Sequence, residues 1–187
     1  MENLRFIDIK KNKKYINEVK ELYNKAFPKN EKVPFFMLKF LTRKGRANFY
    51  SIYDDDTFIG LIYIVYYEDI IFVFYLAIDE SLRGRGYGSK VLDEIKKKYK
   101  EYRIVLNIEE INESSNNNAQ RIRRKEFYIR NGFITLDYTV KELNIIYEML
   151  CYSNDEGNKY VSKEEYSKLL NNFFGDFLYS IIYKKNR

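Results

Sequence analysis

The strongest constraint on the fold is the segment 76–95, where an apolar strand passes through a basic, glycine-spaced turn directly into an amphipathic helix. Gly84, Gly86 and Gly88 alternate in this turn, and an arginine stands before Gly84 and another before Gly86. Glycine lets the backbone adopt positive φ and approach a ligand closely. The N-terminus of the following helix adds amides without helical acceptors and the positive end of the helix dipole. The segment therefore predicts an anion cradle, best suited to a pyrophosphate, with a purely structural turn as the alternative.

Two common phosphate loops do not match this segment. A Walker A loop needs lysine and then Ser or Thr directly after its last glycine, whereas here Gly88 is followed by Ser89 and then Lys90. A dinucleotide fingerprint needs G-x-G-x-x-G inside a βαβ unit, whereas the spacing here is G-x-G-x-G and no second βαβ unit follows. Residues 83–88 instead match R/Q-x-x-G-x-G/A after a strand, and this arrangement resembles the acetyl-CoA loop of the GNAT N-acetyltransferase superfamily.

A second segment carries the same resemblance. Residues 124–133 read RKEFYIRNGF and are similar to the FYxxxGF helix-to-strand motif of that superfamily. It lies after the loop in the expected order, and the two motifs together cover about the middle third of the chain. The resemblance implies an α/β protein, a mixed-sheet α+β arrangement of the GNAT acyl-CoA N-acyltransferase type, here with an extra C-terminal helix.

Apolar periodicity predicts the element order β-α-α-β-β-β-α-β-α-β-β, which resembles that fold. The predicted strands are 4–9, 47–53, 58–67, 70–78, 103–110, 133–140 and 145–152, and the predicted helices are 14–27, 33–43, 88–99 and 120–131. After a predicted linker at 154–158, Ser162 and Glu165 form a capping-box pattern that begins a last helix. We expect one domain over 1–187, with a core at 1–152 and a helical appendage at 160–187 that packs on the core or on a second copy.

The resemblance also implies a set of residues that bind acetyl-CoA. The end of the strand would pair with the pantetheine amides, and the loop amides would hold the pyrophosphate. The candidates are Leu76, Ala77, Ile78, Arg83, Gly84, Arg85, Gly86, Tyr87, Gly88 and Ser89.

Two further residues are candidates for the chemistry. Resemblance assigns Tyr128 as the acid that protonates the leaving thiolate, since a tyrosine with a reference pKa near 10 is a donor at neutral pH; a core tyrosine is the alternative. Alternation in the strand 103–110 aims Asn107 and Glu109 to the same side, so Glu109 is the candidate general base, with an exposed edge as the alternative. Glu110 and Glu68 are weaker candidates.

One position departs from the family pattern. Many members carry an asparagine seven residues before the helix tyrosine, where this chain has Arg121. The CoA contact of that asparagine is therefore not carried over. A loop with Asn116, Asn117 and Asn118 is a candidate substitute.

Composition excludes several other chemistries. The chain has no histidine, which excludes histidine-based triads and ordinary zinc sites with histidine ligands, and we expect no metal. Its one cysteine, Cys151, excludes an internal disulfide, fits a reducing cytoplasm and is expected to be a packing residue. The N-terminal residues form no signal core, and Glu68 and Asp69 interrupt the most apolar run, so we expect no membrane partner.

These observations predict an enzyme that transfers an acetyl group from acetyl-CoA to a primary amine of a small molecule or peptide by direct attack. The net charge of +6 leaves two alternatives open: acetylation of aminoacyl-tRNA, and a regulator that binds CoA without turnover. Nucleic acid is the less favoured partner because a basic surface also suits polyanionic CoA. The identity of the acceptor amine and a homodimer stay open.

Overall fold

The described residues of the computed structural model are 4–142, 145–155, 157 and 160–179. The strands are β1 (Arg5–Asp8), β2 (Ala47–Asp54), β3 (Thr57–Tyr67), β4 (Ile70–Ile78), β5 (Arg103–Glu109), β6 (Ile134–Glu142) and β7 (Ile145–Tyr152). The α-helices are α1 (Ile16–Ala26), α2 (Phe35–Arg43), α3 (Tyr87–Lys98), α4 (Asn118–Arg130), α5 (Lys163–Phe174) and α6 (Asp176–Tyr179). The predicted element order is confirmed through β7, and the predicted last helix is divided into α5 and α6 at Gly175.

The strands form a seven-stranded mixed sheet in the order β1-β2-β3-β4-β5-β7-β6. The pair β4 and β5 is parallel, and β1–β2, β2–β3, β5–β7 and β6–β7 are antiparallel. The predicted mixed α/β class is therefore confirmed. The chain divides into two compact units, Met1–Tyr66 with Val73–Lys98, and Tyr67–Phe72 with Tyr99–Arg187.

The first unit packs its helices through apolar stripes at helical spacing. From α1, Val19, Leu22 and Tyr23 are buried, and from α2 the buried residues are Leu38, Leu41 and Thr42. Tyr23 packs against Tyr75 of β4 with ring centroids 5.0 Å apart. The buried, β-branched and aromatic content of β3 and β4 makes these strands the centre of this unit's core.

The second unit contains β5, β7 and β6 and the C-terminal helices. The α5 helix begins at the predicted capping box, in which the Ser162 hydroxyl accepts from the Glu165 amide and the Glu165 carboxylate accepts from the Ser162 amide. Tyr166, Leu169, Leu170, Phe173 and Phe174 are buried within the chain, which favours the packing of the appendage on its own subunit. Residues 180–187 of the predicted appendage, and part of the predicted linker, lie outside the described residues.

Candidate active site

Hydrogen bonds hold the start of the connection from β4 to α3. The Asp79 amide donates to the Ile59 carbonyl of β3 at 2.8 Å, which holds the end of β4. The Asp79 carboxylate accepts from the Ser81 hydroxyl at 2.6 Å and from the Ser81 amide at 3.0 Å. These bonds lower the pKa of Asp79, with the Ser81 hydroxyl as the largest cause. They also cap a short 3-10 turn at Glu80–Leu82, so the chain enters the glycine turn in a defined direction.

The glycine turn has the backbone that the sequence predicts. Gly84 and Gly86 have φ of +78° and +82°, a region in which side chains other than glycine are strained. A Cβ built on either glycine meets no atom within 4 Å, so open space lies beside the backbone at both positions.

The first turn of α3 supplies amides to that open space. The amide of Lys90 makes the first helical bond, to the Gly86 carbonyl at 3.2 Å. Within the described residues, the backbone amides from Gly84 to Ser89 have no hydrogen-bond acceptor. Successive amides in this state at the positive end of a helix dipole are typical of anion sites in proteins.

One side chain of the turn is bonded to a neighbouring strand, and two others are exposed to solvent. Tyr87 donates its hydroxyl to the Asp54 carboxylate at 2.9 Å, and this hydrogen bond is the largest cause of a raised Tyr87 pKa. The Tyr87 side chain thus ties the start of α3 to the end of β2, and its backbone amide stays available. Arg83 and Arg85 are exposed beside the glycines, where they add positive charge.

Gly60 is not among the predicted site residues, but glycine is required at this position beside the end of β4. A Cβ on Gly60 would lie 2.2 Å from the Ala77 carbonyl oxygen, far inside van der Waals contact. The β3 backbone therefore approaches the Ala77 peptide more closely than any side chain permits. A glycine inside a strand pattern was the available signal, because it marks a close backbone approach.

In the second unit, Tyr128 lies in the last turn of α4 and is fixed by the helix end. The Phe133 amide donates to the Tyr128 carbonyl at 3.1 Å, and the Gly132 amide donates to the Ile129 carbonyl at 2.9 Å. Together with a φ of +81° at Gly132, these bonds form a Schellman motif. The Phe133 ring packs on the Tyr128 ring with centroids 5.6 Å apart, which completes the motif's hydrophobic contact. This gives a physical reason for the FYxxxGF pattern.

The Tyr128 hydroxyl has the properties of a proton donor. Burial raises the pKa of Tyr128 to about 12, and the nearby charge of Arg124 opposes the rise. The hydroxyl stays protonated at neutral pH as a result. Among the residues that the structure describes, none forms a hydrogen bond with it, so its proton is not committed to a protein acceptor.

Glu109, at the end of β5, is buried rather than on an exposed edge, since 8% of it is accessible. One carboxylate oxygen accepts from Arg121 at 2.9 Å, and the other accepts from Asn117 at 3.2 Å and from Arg124 at 3.3 Å. Both oxygens are therefore occupied by side chains of α4 and of the residue before it. Arg121, the position that departs from the family pattern, serves as an ion-pair partner of Glu109.

Two other sequence candidates have structural contacts. Asn107 donates to the Tyr166 hydroxyl at 3.4 Å, on the side of β5 that faces α5. Cys151 is buried in β7, and burial raises its pKa to about 12, so its thiol is protonated and unsuited to nucleophilic attack. The structure thus gathers the predicted CoA residues in one unit, and places Tyr128 and Glu109 in the other. Among the described helices, none has the length and apolar character needed to cross a bilayer.

Comparison with known proteins gives the same family as the sequence motifs. A family model described as an acetyltransferase (GNAT) domain matches residues 45–135, which include the glycine turn and the Tyr128 motif. The protein YjbC of Bacillus subtilis, assigned as an acetyltransferase, is 36% identical over 67 residues. That match covers 36% of this chain and spans only 32% of the length of YjbC.

Solved structures share the fold over most of the chain. A protein from Bacteroides thetaiotaomicron assigned to the GNAT acetyltransferases superposes with a TM-score of 0.73 at 22% identity, over 95% of this chain and 98% of that one. A Bacillus subtilis acetyltransferase solved in complex with CoA superposes with a TM-score of 0.55 at 15% identity, over 81% of this chain and 97% of that one. The GNAT-type fold is therefore confirmed.

Proposed function

Since a GNAT acetyltransferase family model matches residues 45–135, we propose that this chain transfers an acetyl group from acetyl-CoA to a primary amine of a small molecule or peptide. The observation that carries this proposal is the glycine turn. Its positive-φ glycines and its run of amides without acceptors form a cradle for a pyrophosphate. The Bacillus subtilis relative solved with CoA supports the choice of ligand.

The cosubstrate would be held at two places in the first unit. The amides from Gly84 to Ser89, with the exposed Arg83 and Arg85, would bind the pyrophosphate. The backbone of Leu76, Ala77 and Ile78 would pair with the amides of the pantetheine arm, as the resemblance to the GNAT superfamily implies. A strand edge is suited to this because backbone groups not used in the sheet recruit an extended ligand.

The transfer removes two protons from the acceptor nitrogen and supplies one to the sulfur. The acceptor ammonium loses its first proton to the base, its nitrogen attacks the thioester carbonyl, and the carbon–sulfur bond breaks to leave a thiolate, which takes a proton from an acid. The nitrogen then loses its second proton to the deprotonated acid, which restores the acid and leaves a neutral amide. We assign Tyr128 as the donor that protonates this thiolate. A hydroxyl that is protonated at neutral pH and has no acceptor among the described residues supports the assignment.

Glu109 is the proposed base that takes the amine proton, directly or through water. Its present contacts with Arg121, Arg124 and Asn117 also give it a second role, the attachment of α4 to the end of β5. Glu109→Gln separates the two roles. If Glu109 is the base, the variant should have a much lower kcat and a normal melting temperature. If Glu109 is purely structural, the variant should have a lower melting temperature and nearly normal turnover of the folded enzyme.

Turnover with a panel of amines tests the proposed function. The protein would be incubated with acetyl-CoA and polyamines, aminoglycosides, amino acids or short peptides, while free thiol is measured and the acceptors are examined by mass spectrometry. Amine-dependent thiol release with an acetylated product supports the proposal. Tight binding of acetyl-CoA without release of free thiol, across the panel and with charged tRNA, would instead favour a regulator that binds CoA.

We propose the cytoplasm as the location, supported by the single buried thiol.

A further inference from the structure

The outer face of α2 carries two aromatic rings in solvent. Phe36 and Phe40 are 72% and 54% exposed, although the inner face of the same helix is buried. They stand four residues apart and therefore lie side by side on one helical face. Phe35, the neighbour of Phe36, packs instead against Phe49 with ring centroids 5.6 Å apart. The two exposed rings are thus an extra apolar surface that the core does not use.

The segment that contains this face is strongly basic. Residues 28–46 hold six cationic side chains and one anionic side chain, so the net charge of this stretch is +5. Lys39, Arg43 and Lys44 lie within two turns of the exposed rings, and Arg43 and Lys44 are exposed. Within the described part of the chain these three cations form no ion pair with a carboxylate.

The cations and the rings are arranged as one surface, which we call the α2 face and define as Phe36, Lys39, Phe40, Arg43 and Lys44. Phe36, Phe40, Arg43 and Lys44 follow the helical spacing i, i+4, i+7 and i+8. The Lys44 ammonium lies 5.6 Å from the centroid of the Phe40 ring. This cation–π contact keeps the ring and the charge beside each other at the end of α2.

From this juxtaposition we propose that the α2 face binds a single-stranded nucleic acid. Such a strand presents a repeated negative charge to the cations and a flat aromatic surface on every base to the phenylalanine rings. An acidic peptide satisfies the charge but offers no repeated flat surface to stack on the rings. A single-stranded nucleic acid has a phosphate and a base at every nucleotide, so it can contact the two rings and the neighbouring cations at the same time. The proposal does not depend on acetyl transfer, since the α2 face is distinct from the glycine turn.

Binding of a fluorescein-labelled, mixed-sequence 12-nucleotide RNA tests the proposal by fluorescence anisotropy. Phe36→Ala with Phe40→Ala is expected to weaken binding at least about tenfold, because each base stacked on an aromatic ring contributes measurably to affinity. Arg43→Gln with Lys44→Gln is expected to weaken binding and to reduce the slope of log Kd against log salt by about one to two. Both pairs are exposed, so the melting temperature should be nearly unchanged.

Lys10→Gln with Lys11→Gln is the matched control, because it removes two exposed charges from a different part of the same unit. The proposal predicts that this control leaves RNA affinity within about twofold. An equal loss in the control, or no loss in the phenylalanine variant, would show adsorption through net charge alone and overturn the proposal. So would the absence of RNA binding, tighter binding to a polyglutamate peptide of equal charge, or self-association that the phenylalanine variant abolishes.

Discussion

Gly60 is the residue at which one added methyl group would disturb the proposed cosubstrate strand most directly. The closest atom to a Cβ there is a backbone oxygen, that of Ala77, and backbone cannot move aside as a flexible side chain does. At Gly84 and Gly86 the constraint is different, because space is open and only the positive φ requires glycine. Near the end of β4, Gly60 therefore permits a close backbone approach, whereas Gly84 and Gly86 permit a positive φ.

Gly60→Ala is expected to destabilise the protein by about 1–3 kcal/mol, as overpacking does, and to weaken acetyl-CoA binding by displacing the Ala77 peptide. The measurements are chemical denaturation and calorimetry. Ile59→Val is the control, because it lowers stability by about 0.5–1.5 kcal/mol at a fully buried neighbour without moving the backbone. Equal CoA affinity in both variants would show that the close approach does not shape the site.

Tyr128→Phe is expected to lower kcat by about 10²–10⁴-fold, since it removes a positioned acid, and to leave acetyl-CoA affinity unchanged. A group with a pKa of about 12 is protonated at every pH below that value. The ratio of wild-type to variant kcat should therefore be constant from pH 6 to about pH 10. A ratio that shrinks as the pH rises towards 9 would contradict a donor that titrates near 12.

At the scale of elements, hydrogen-bonded motifs fix the ends of two helices, and one of these ends holds the candidate acid. A Schellman motif fixes Tyr128 at the end of α4, and a capping box fixes the beginning of α5. Both depend on local backbone bonds, and both are visible in the sequence as short patterns.

Ser162→Ala is expected to cost about 1 kcal/mol of stability, because it leaves the Glu165 amide without its cap. Equilibrium unfolding in urea measures this change, and Ser162→Asp should restore most of it because aspartate is also a good cap. Equal stability of the wild type and the alanine variant would show that α5 does not depend on its cap.

These local patterns explain which parts of the structure could be predicted. The ends of β4 at Ile70 and Ile78, the glycine turn and the start of α5 follow from periodicity and turn chemistry within a few residues of sequence. The collision at Gly60 and the partners of Glu109 could not be predicted in this way. They depend on residues that are distant in sequence and meet only after the chain has folded, so they leave no local pattern.

At the scale of the whole molecule, charge is distributed unevenly. Residues 28–46 carry a net charge of +5 and residues 47–82 one of −7, whereas the second unit contains an ion-pair cluster around the buried Arg103. Arg103 donates two hydrogen bonds to Asp69, one to Glu165 and one to the Tyr160 carbonyl, all within 2.8 Å. One side chain thus joins the segment before β4, the strand β5 and the helix α5.

Arg103→Gln is expected to destabilise the protein by roughly 1–3 kcal/mol at pH 7, because it removes a buried cation that holds two carboxylates, although water still reaches both carboxylates, whose side chains are 45% and 33% exposed. Arg130→Gln, at an exposed pair with Glu126, should change stability by less than about 0.5 kcal/mol. Thermal and chemical unfolding measure both variants.

The same cluster predicts a pH dependence of stability. The hydrogen bonds from Arg103 lower the pKa of Asp69. Burial alone would raise the pKa of Glu165, but hydrogen bonds from Arg103 and Ser162 outweigh burial and lower it. Carboxylates with lowered pKa values stabilise the folded state above their unfolded values, near 4, and this contribution is lost as the pH falls further. The wild type should therefore lose more stability than Arg103→Gln below about pH 4, and parallel losses would contradict this assignment.

The most direct test of the account is calorimetric titration of acetyl-CoA into the wild type, Gly86→Glu and Gly45→Glu. Gly45 has a φ of +75° and open space like Gly86, so the two variants share the same backbone strain and added charge. Gly86→Glu is expected to weaken binding at least about tenfold because it puts a negative charge into the cradle, whereas Gly45→Glu is expected to bind as the wild type does. Equal affinity in all three proteins, or no binding by the folded wild type, would contradict the assignment of the glycine turn to the cosubstrate.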